Sequence, residues 1–387
     1  MNKKIKLCVV VTDPMNLWSL YREQFLYLQK NGFEITAIAS SGVEHDKLKE
    51  MGVDSIAIDM QRAPSPFKDL ISLLKLIKFF TLNRFDIVSI STPKASLLGS
   101  LAAFFTFQKN IIFTIRGRAY ENKKGLSKKI FENIDKLICK LSDSVFSISH
   151  EIKDDFISKG LCKENKIFVI GSGSSNGVDL RKFTKTEDII RKANSEKKAL
   201  GINNDELCIL YSGRIRKDKG IEELVNAFLL LEKEFDNIFM LIQGKEDSVD
   251  KINDNILNII NRHSKIYRAD WSYEVENYFA MADIFAFPSY REGFGNVAIE
   301  ASAMELPVVA FDVVGCRESI IDRKTGLLSK PFDVNDLYKN LKLLVEDKKL
   351  RDDLGQNGRG RVEKEFNSFY IWNELIKKYK ELLEGNK

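Results

Sequence analysis

The chain has 387 residues, 44% of them hydrophobic and 30% charged, and a net charge of +5. That length admits about two domains with substantial cores, and so mild a basicity, with no binding motif beside it, argues against a nucleic-acid partner. The five cysteines include no CxxC pair and the three histidines stand in no metal-ligand spacing, which argues against a structural zinc and for reduced thiols in a cytosolic protein.

The opening MNKKIKLCVVVTD is too short in its apolar run for a signal peptide and reads as a first buried strand. KLCVVV (6–11), ITAIAS (35–40), SIAIDM (55–60), DIVSIS (86–91), NIIFTI (110–115), SVFSIS (144–149) and KIFVIG (166–171) read as strands, with helical stretches between them. Such alternation implies a parallel sheet covered on both faces. Two of the intervening stretches, 66–85 and 123–141, set lysines among many apolar residues. They read either as basic amphipathic helices in a membrane interface or as packed helices with solvated lysines. The apolar run 97–107 is too short to cross a bilayer. Charge is uneven: residues 1–180 hold 26 Lys and Arg against 19 Asp and Glu, while the rest hold 34 against 36. The first half therefore suits an anionic partner.

A lysine-rich passage at 180–205 precedes a restart of the pattern at 206–213, 220–234, 237–244, 255–263, 275–282, 283–289 and 306–312. This predicts a second doubly wound domain, followed by an amphipathic helix at 369–384. The expected division is 1–178, 179–366 and 367–387. Ligands of such sheets bind at the C-terminal ends of strands, so a cleft between the two domains is the expected site.

The most informative stretch is REGFGNVAIEASAMELPVV (291–309), which follows the strand ADIFAFPS. Strand, glycine turn and helix start make an anion site, because first-turn N–H groups and the helix dipole favour negative charge. Glu292 in the turn and Glu300 on the helix would be costly beside phosphate alone, but carboxylates accept hydrogen bonds from sugar hydroxyls. A sugar joined to phosphate satisfies both; the alternative is a plain strand–helix junction. In YSGRIRKDKGIEELV (211–225), Arg214, Arg216 and Lys219 follow a strand and Gly220 opens a helix, which suits a diphosphate or a solvated basic turn. The loop VIGSGSSNGVD (169–179) is a weaker signal of the same kind.

SGRIRKDKGIEELVNAF, ADIFAFPSYREGFGNVAIEASAMELPVVAFDVVGCRESIID and KTGLLSKPFD resemble the retaining, GT-B-fold glycosyltransferases of family 4, and the likeness covers nearly the whole chain. LYREQFLYLQKNGFEITAIASSG, STPKASLLGSLAAF and GSGSSNGVDLRKF resemble the branch that elongates undecaprenyl-diphosphate-linked sugars in capsule, O-antigen and glycan assembly. The resemblance implies an α/β fold of two Rossmann-like domains facing a cleft, with the C-terminal helix crossing back to the N-terminal domain. It implies that Arg214 and Lys219 hold the donor diphosphate and that the backbone of Phe294, Gly295, Asn296 and Val297 meets the phosphates. Glu292 would face the reacting sugar and Glu300 the ribose hydroxyls. No metal is expected, because cations and helix dipole replace it.

One departure stands out. Many relatives carry a histidine after the fifth strand, where this chain reads TIRGRAYEN with Arg116. Arginine stays protonated, so a general acid or base role fails there. Arg116 suits leaving-group or acceptor diphosphate charge, or a structural ion pair. Arg118 and Lys94 are weaker candidates for the acceptor diphosphate, and Asp13 for acceptor hydroxyls or, equally, a turn or cap. Trp271 reads as a packing side chain before a base-stacking one, and His150 as a satisfied lone histidine.

The implied activity is transfer of a sugar, an N-acetylated hexosamine or deoxyhexosamine, from a UDP-sugar to a polyprenyl-diphosphate-linked sugar. The enzyme would be cytoplasmic and attached peripherally to the inner membrane face. The alternatives are a soluble glycosyltransferase with a small acceptor and a non-catalytic nucleotide-sugar-binding protein. A dinucleotide oxidoreductase ranks last, since no GxGxxG follows the first strand.

Overall fold

The computed structural model describes residues 4–118, 120–121, 123–203, 205–247 and 250–385. The chain divides into two compact units, one of Met1–Asn176 with Phe369–Lys387 and one of Gly177–Ser368.

The N-terminal unit is built on seven parallel strands: β1 (Ile5–Val10), β2 (Phe33–Ala39), β3 (Asp54–Ala57), β4 (Ile87–Ser91), β5 (Ile111–Ile115), β6 (Ser144–Ser147) and β7 (Ile167–Val169). Their order in the sheet is β3-β2-β1-β4-β5-β6-β7. All seven fall on the apolar runs read from the sequence. Strands covered on both faces need continuous apolar sequence, and β4 and β6 are buried at every position. One face packs under helices Pro66–Leu82 and Pro93–Phe105, with Leu76, Phe80, Leu98 and Ala102 in the core. The other face takes Phe25 and Leu28 from helix Arg22–Lys30 and Leu375, Ile376 and Tyr379 from the C-terminal helix Ser368–Gly385. That helix therefore completes the core of the first unit although it is the last element of the chain.

The C-terminal unit repeats the plan with six parallel strands: β8 (Leu207–Ser212), β9 (Ile238–Gln243), β10 (Ile266–Ala269), β11 (Ile284–Phe287), β12 (Val308–Phe311) and β13 (Gly326–Ser329). The order is β10-β9-β8-β11-β12-β13. Helix Ile221–Leu231 buries Ile221, Leu224, Val225 and Phe228 against this sheet. The sequence reading lacks β10 and β13, the two edge strands. An edge strand is shielded on fewer sides, so its sequence need not be a long apolar run; β10 keeps three half-buried positions out of four.

In both sheets the strand order reverses once, between β1 and β4 in the first unit and between β8 and β11 in the second. Helices leave such a switch point on opposite faces, which opens a crevice beyond the strand ends. The loops after β1, β4, β8 and β11 are therefore where the fold itself prepares ligand sites. No described helix is long and apolar enough to cross a membrane.

Candidate functional site

In the C-terminal unit the loops after β8 and β11 bring together most of the residues expected to hold a donor. Lys219 ends a short 3-10 turn, Lys217–Lys219, and Glu292 lies in the turn after β11. Their side chains form an ion pair, Lys219 Nζ to Glu292 Oε1, with both groups about one-fifth exposed. Two glycines make the approach possible. Gly220 has φ +67°, and a Cβ there would lie 1.9 Å from the Pro288 carbonyl oxygen. Gly315 has φ +82°, and its Cβ would lie 2.6 Å from the Glu292 carbonyl oxygen. Only glycine fits either place, so the first contact seats the loop after β8 on the end of β11 and the second holds the Glu292 turn against the loop after β12. The Glu292 N–H also donates to the Val314 carbonyl at 3.3 Å.

Helix Asn296–Ala303 starts directly after this turn. Gly295 caps it and supplies no side-chain acceptor for the first-turn N–H groups. Phe294 is buried and packs edge-on against Phe366 at 5.2 Å. Its ring thus anchors the turn while its backbone stays at the helix mouth, beside Asn296 and Val297.

The three cations after β8 have different surroundings. Arg216 is clasped by Asp218 at 2.5 Å, Asp250 at 3.1 Å and Asp247 at 3.4 Å. Arg214 is 62% exposed at its side chain and only brushes Asp247 at 3.4 Å. Arg216 is thereby a fixture of the loop, and Arg214 retains most of its donors for a ligand. Arg291 is held by Asp218 at 3.0 Å. The Tyr211 hydroxyl donates to the Arg214 carbonyl at 2.7 Å. Burial pushes its phenol up, and Glu292 and Asp218 nearby add to the rise. Tyr211 and Asp218 were not foreseen: a tyrosine inside a buried strand and an acid among basic residues carry no signal of their own.

Glu300 is half-buried and meets other groups than Glu292 does. Desolvation pushes its carboxyl up to about 7, against the opposing pull of Lys182 and with a smaller push from Glu276. Lys182 pairs with Glu276 at 3.3 Å and donates to the Tyr273 carbonyl at 2.6 Å. This Lys182–Glu276–Glu300 group joins distant stretches of the chain and has no local sequence signature. Trp271 is exposed and stands edge-on to Tyr273, with centroids 4.3 Å apart.

In the N-terminal unit two of the expected acceptor residues, Asp13 and Lys94, flank the β1–β4 switch point, and Arg118 follows β5. Asp13 caps helix Pro14–Asn16 by accepting the Met15 N–H at 2.9 Å, and it pairs with Arg62. Lys94 pairs with Asp69. Arg118 pairs with Glu121 and with Asp155 at 3.5 Å. Each is already engaged by its own unit. Between Asp13 and Lys94, Thr92 holds φ +74°, a strained value for a β-branched residue. Its hydroxyl accepts the Thr12 N–H at 2.9 Å and lies 2.8 Å from the Thr12 hydroxyl, which fixes the distortion.

Arg116 differs from the other three. Its Nη2 donates to the Tyr21 hydroxyl at 2.8 Å, and its guanidinium carbon lies 5.0 Å from the Tyr21 ring centroid. Tyr21 closes a π-type turn, Leu17–Tyr21. Its hydroxyl also lies 3.0 Å from the Ser91 hydroxyl. Arg116 Nε and Nη1 are buried without a partner. The structure thus has Arg116 stacked on an aromatic ring, and not in the ion pair weighed as its structural role. His150 is exposed at the first position of helix His150–Ser158. Among the described residues no three His, Cys, Asp or Glu side chains gather as a metal site would require.

Comparison with known proteins bears on both halves. Residues 192–361 match the family Glycosyl transferases group 1, and residues 22–182 match Glycosyltransferase Family 4. The capsular polysaccharide biosynthesis glycosyltransferase CapM of Staphylococcus aureus is 33% identical over 99% of this chain and 98% of its own length. The Escherichia coli UDP-Gal:alpha-D-GlcNAc-diphosphoundecaprenol alpha-1,3-galactosyltransferase is 25% identical over 95% of this chain and 94% of its own. Among solved structures, Anabaena HepE in complex with UDP and glucose superposes with a TM-score of 0.79 at 16% identity, covering 97% of this chain and 99% of HepE.

Proposed function

The chain belongs to the glycosyl transferases of group 1 and family 4, and from that premise we propose that it moves a sugar, with retention of anomeric configuration, from a UDP-sugar to a polyprenyl-diphosphate-linked sugar in surface-polysaccharide assembly. The single observation that carries the reading is the convergence of Lys219, Glu292 and the Gly295-capped helix at the β8–β11 switch point. The lipid-linked acceptor and the UDP donor are taken over from the Escherichia coli relative. The protein would meet that acceptor at the inner membrane face.

The donor diphosphate lies against Arg214, Lys219 and the first-turn N–H groups of helix Asn296–Ala303, which supply the charge a metal supplies elsewhere. Glu292, released from Lys219 as the phosphates arrive, accepts from the donor sugar's hydroxyls. Glu300 does the same for the ribose. The bond from the anomeric carbon to the UDP phosphate breaks, and the acceptor oxygen bonds the same face of the sugar. The acceptor proton passes to the leaving phosphate oxygen, so no histidine is needed at position 116. The donor is an N-acetylated hexosamine or deoxyhexosamine.

Thermal unfolding of the purified chain with UDP, GDP, ADP and NAD at matched concentrations tests the donor site. A ligand present at a hundred times its Kd adds about 2.7 kcal/mol. UDP alone should stabilise the wild type, and Lys219→Ala should remove the effect. Stabilisation by NAD only, or by none of the four, rules the reading out.

A further inference from the structure

Of the three cations expected on the acceptor side, Lys94 pairs with Asp69, and Arg118 with Glu121 and Asp155. Arg116 pairs with no acid among the described residues. Its Nη2 reaches the Tyr21 hydroxyl, while Nε and Nη1 are sealed from water and have no acceptor. A cavity of about 40 Å³ adjoins it, lined by the hydroxyl residues Ser89, Thr114, Ser147 and Tyr379 and by no carboxylate. A half-buried guanidinium with two unused donors and no counter-charge costs free energy. Such a cost persists where a ligand relieves it. What is missing is negative charge, so the ligand is an anion.

Tyr21 sets how that relief is reached. Its ring lies against the fully buried Phe25, with centroids 5.4 Å and planes 24° apart. Its hydroxyl lies 3.0 Å from the hydroxyl of Ser91, the last residue of β4. Ring and hydroxyl are thus both fixed. Tyr21 also closes a π-type turn, a distortion frequent at functional sites. The guanidinium rests on this ring, 5.0 Å from its centroid. The ring attracts the cation through its face, so the guanidinium can turn on Tyr21 and free Nε and Nη1 without leaving it.

We infer that Tyr21 is a positioning residue, a swivel on which Arg116 turns to take a phosphate of the diphosphate-linked acceptor. The acceptor is the better match than the donor. Donor phosphates have Arg214, Lys219 and a helix start in the other unit. In the N-terminal unit, acids hold both Lys94 and Arg118. The inference rests on the lipid-linked acceptor proposed above, and it adds the residue that aims Arg116 and the acceptor group that Arg116 meets.

The test is calorimetric titration of the full chain with geranyl diphosphate, a short lipid diphosphate without a sugar, in saturating UDP. The UDP keeps this probe out of the donor loops. The wild type should bind it, and Arg116→Met should weaken binding on the order of thirtyfold, the size of a charge-assisted contact. Tyr21→Phe keeps the ring and loses the hydroxyl, and it should weaken binding about fivefold. In the Arg116→Met background Tyr21→Phe should change nothing further, because Tyr21 acts through the arginine. Arg116→Lys keeps the charge and should retain part of the binding. UDP affinity should stay the same in every variant. Arg116→Met should also unfold no earlier than the wild type, since it removes a buried charge that nothing neutralises; an arginine that only held the fold together would cost stability when removed. A wild type that does not bind geranyl diphosphate overturns the proposal. So does Arg116→Met binding like the wild type, or an equal loss from Tyr21→Phe in both backgrounds. A fall in UDP affinity in Arg116→Met also overturns it, by moving the arginine to the donor. The two readings fail separately: UDP that does not bind removes the donor site proposed above, and geranyl diphosphate binding that ignores Arg116 removes this one.

Discussion

The two switch points carry similar charged residues and engage them differently. At β8–β11, Lys219 and Glu292 hold each other, so both members of the pair are expected ligand contacts. At β1–β4, Asp13 is held by Arg62 and by the cap it forms, and Lys94 by Asp69, neither partner having been expected in a site. Burial does not separate the two cases: Lys219 and Glu292 are 20% and 17% exposed, Lys94 and Asp69 12% and 20%. The partner does. A pair of two site groups can open to a ligand and leave nothing behind. A pair with a structural acid cannot open without stranding that acid.

The sharpest way to break this comparison is Glu292→Ala. It should lower kcat/KM by about a thousandfold, the size expected when one preorganised contact to the reacting group is lost. Lys219→Ala should do the same. The double variant should melt close to the wild type, because it leaves no unpaired charge, and should remain inactive. Near-normal transfer by the double variant would move the chemistry elsewhere.

Gly220→Ala comes next. Its Cβ collides with the Pro288 carbonyl oxygen at a positive φ, so urea unfolding should show a loss of about 3 kcal/mol. Lys94→Met should cost about 2 to 3 kcal/mol, since Asp69 is left short of water without its cation. Lost transfer should track lost folded protein. A raised acceptor KM in fully folded protein would instead return Lys94 to the site and break the comparison.

Glu300 gives a pH dependence. Its pKa rises from the ordinary 4.5 to about 7 on folding. Between those values the unfolded chain has lost the proton that the folded chain keeps, so stability falls as pH rises through this window and levels off above 7. Glu300→Gln should flatten that fall and add about 1 to 3 kcal/mol at pH 8, read from thermal unfolding at pH 5 and pH 8. The smallest effect belongs to Arg62→Ala. Arg62 is exposed and Asp13 keeps its cap, so unfolding should shift by less than about 0.5 kcal/mol.

Most of the fold was legible because a parallel strand buried on both faces must be apolar without interruption, as β4 and β11 are. The loops expected to hold the donor were legible as turns for a related reason. Glycines mark backbone that other residues follow only with strain: Gly220 beside Lys219 holds φ +67° and Gly295, three residues past Glu292, holds φ +77°. SIAIDM reads as a six-residue strand, but β3 stops at Ala57 because it is an edge of the sheet. The cations were legible as cations and not as partners. Arg214 and Arg216 are two residues apart and look alike in sequence, yet three aspartates take Arg216 and leave Arg214 exposed.

The sequence by itself determined two doubly wound units, a glycine turn that opens a helix in the second, and a family. Each of these depends on local pattern: apolar period, glycine position and helix start. Tertiary structure alone decided which charges are paired, that Arg116 stacks on Tyr21, that desolvation raises the Glu300 carboxyl to about 7 and that Phe67, Leu70, Ile71 and Leu74 face outward. Pairing, desolvation and exposure depend on which distant residues arrive alongside, and no short stretch of chain contains its own neighbours.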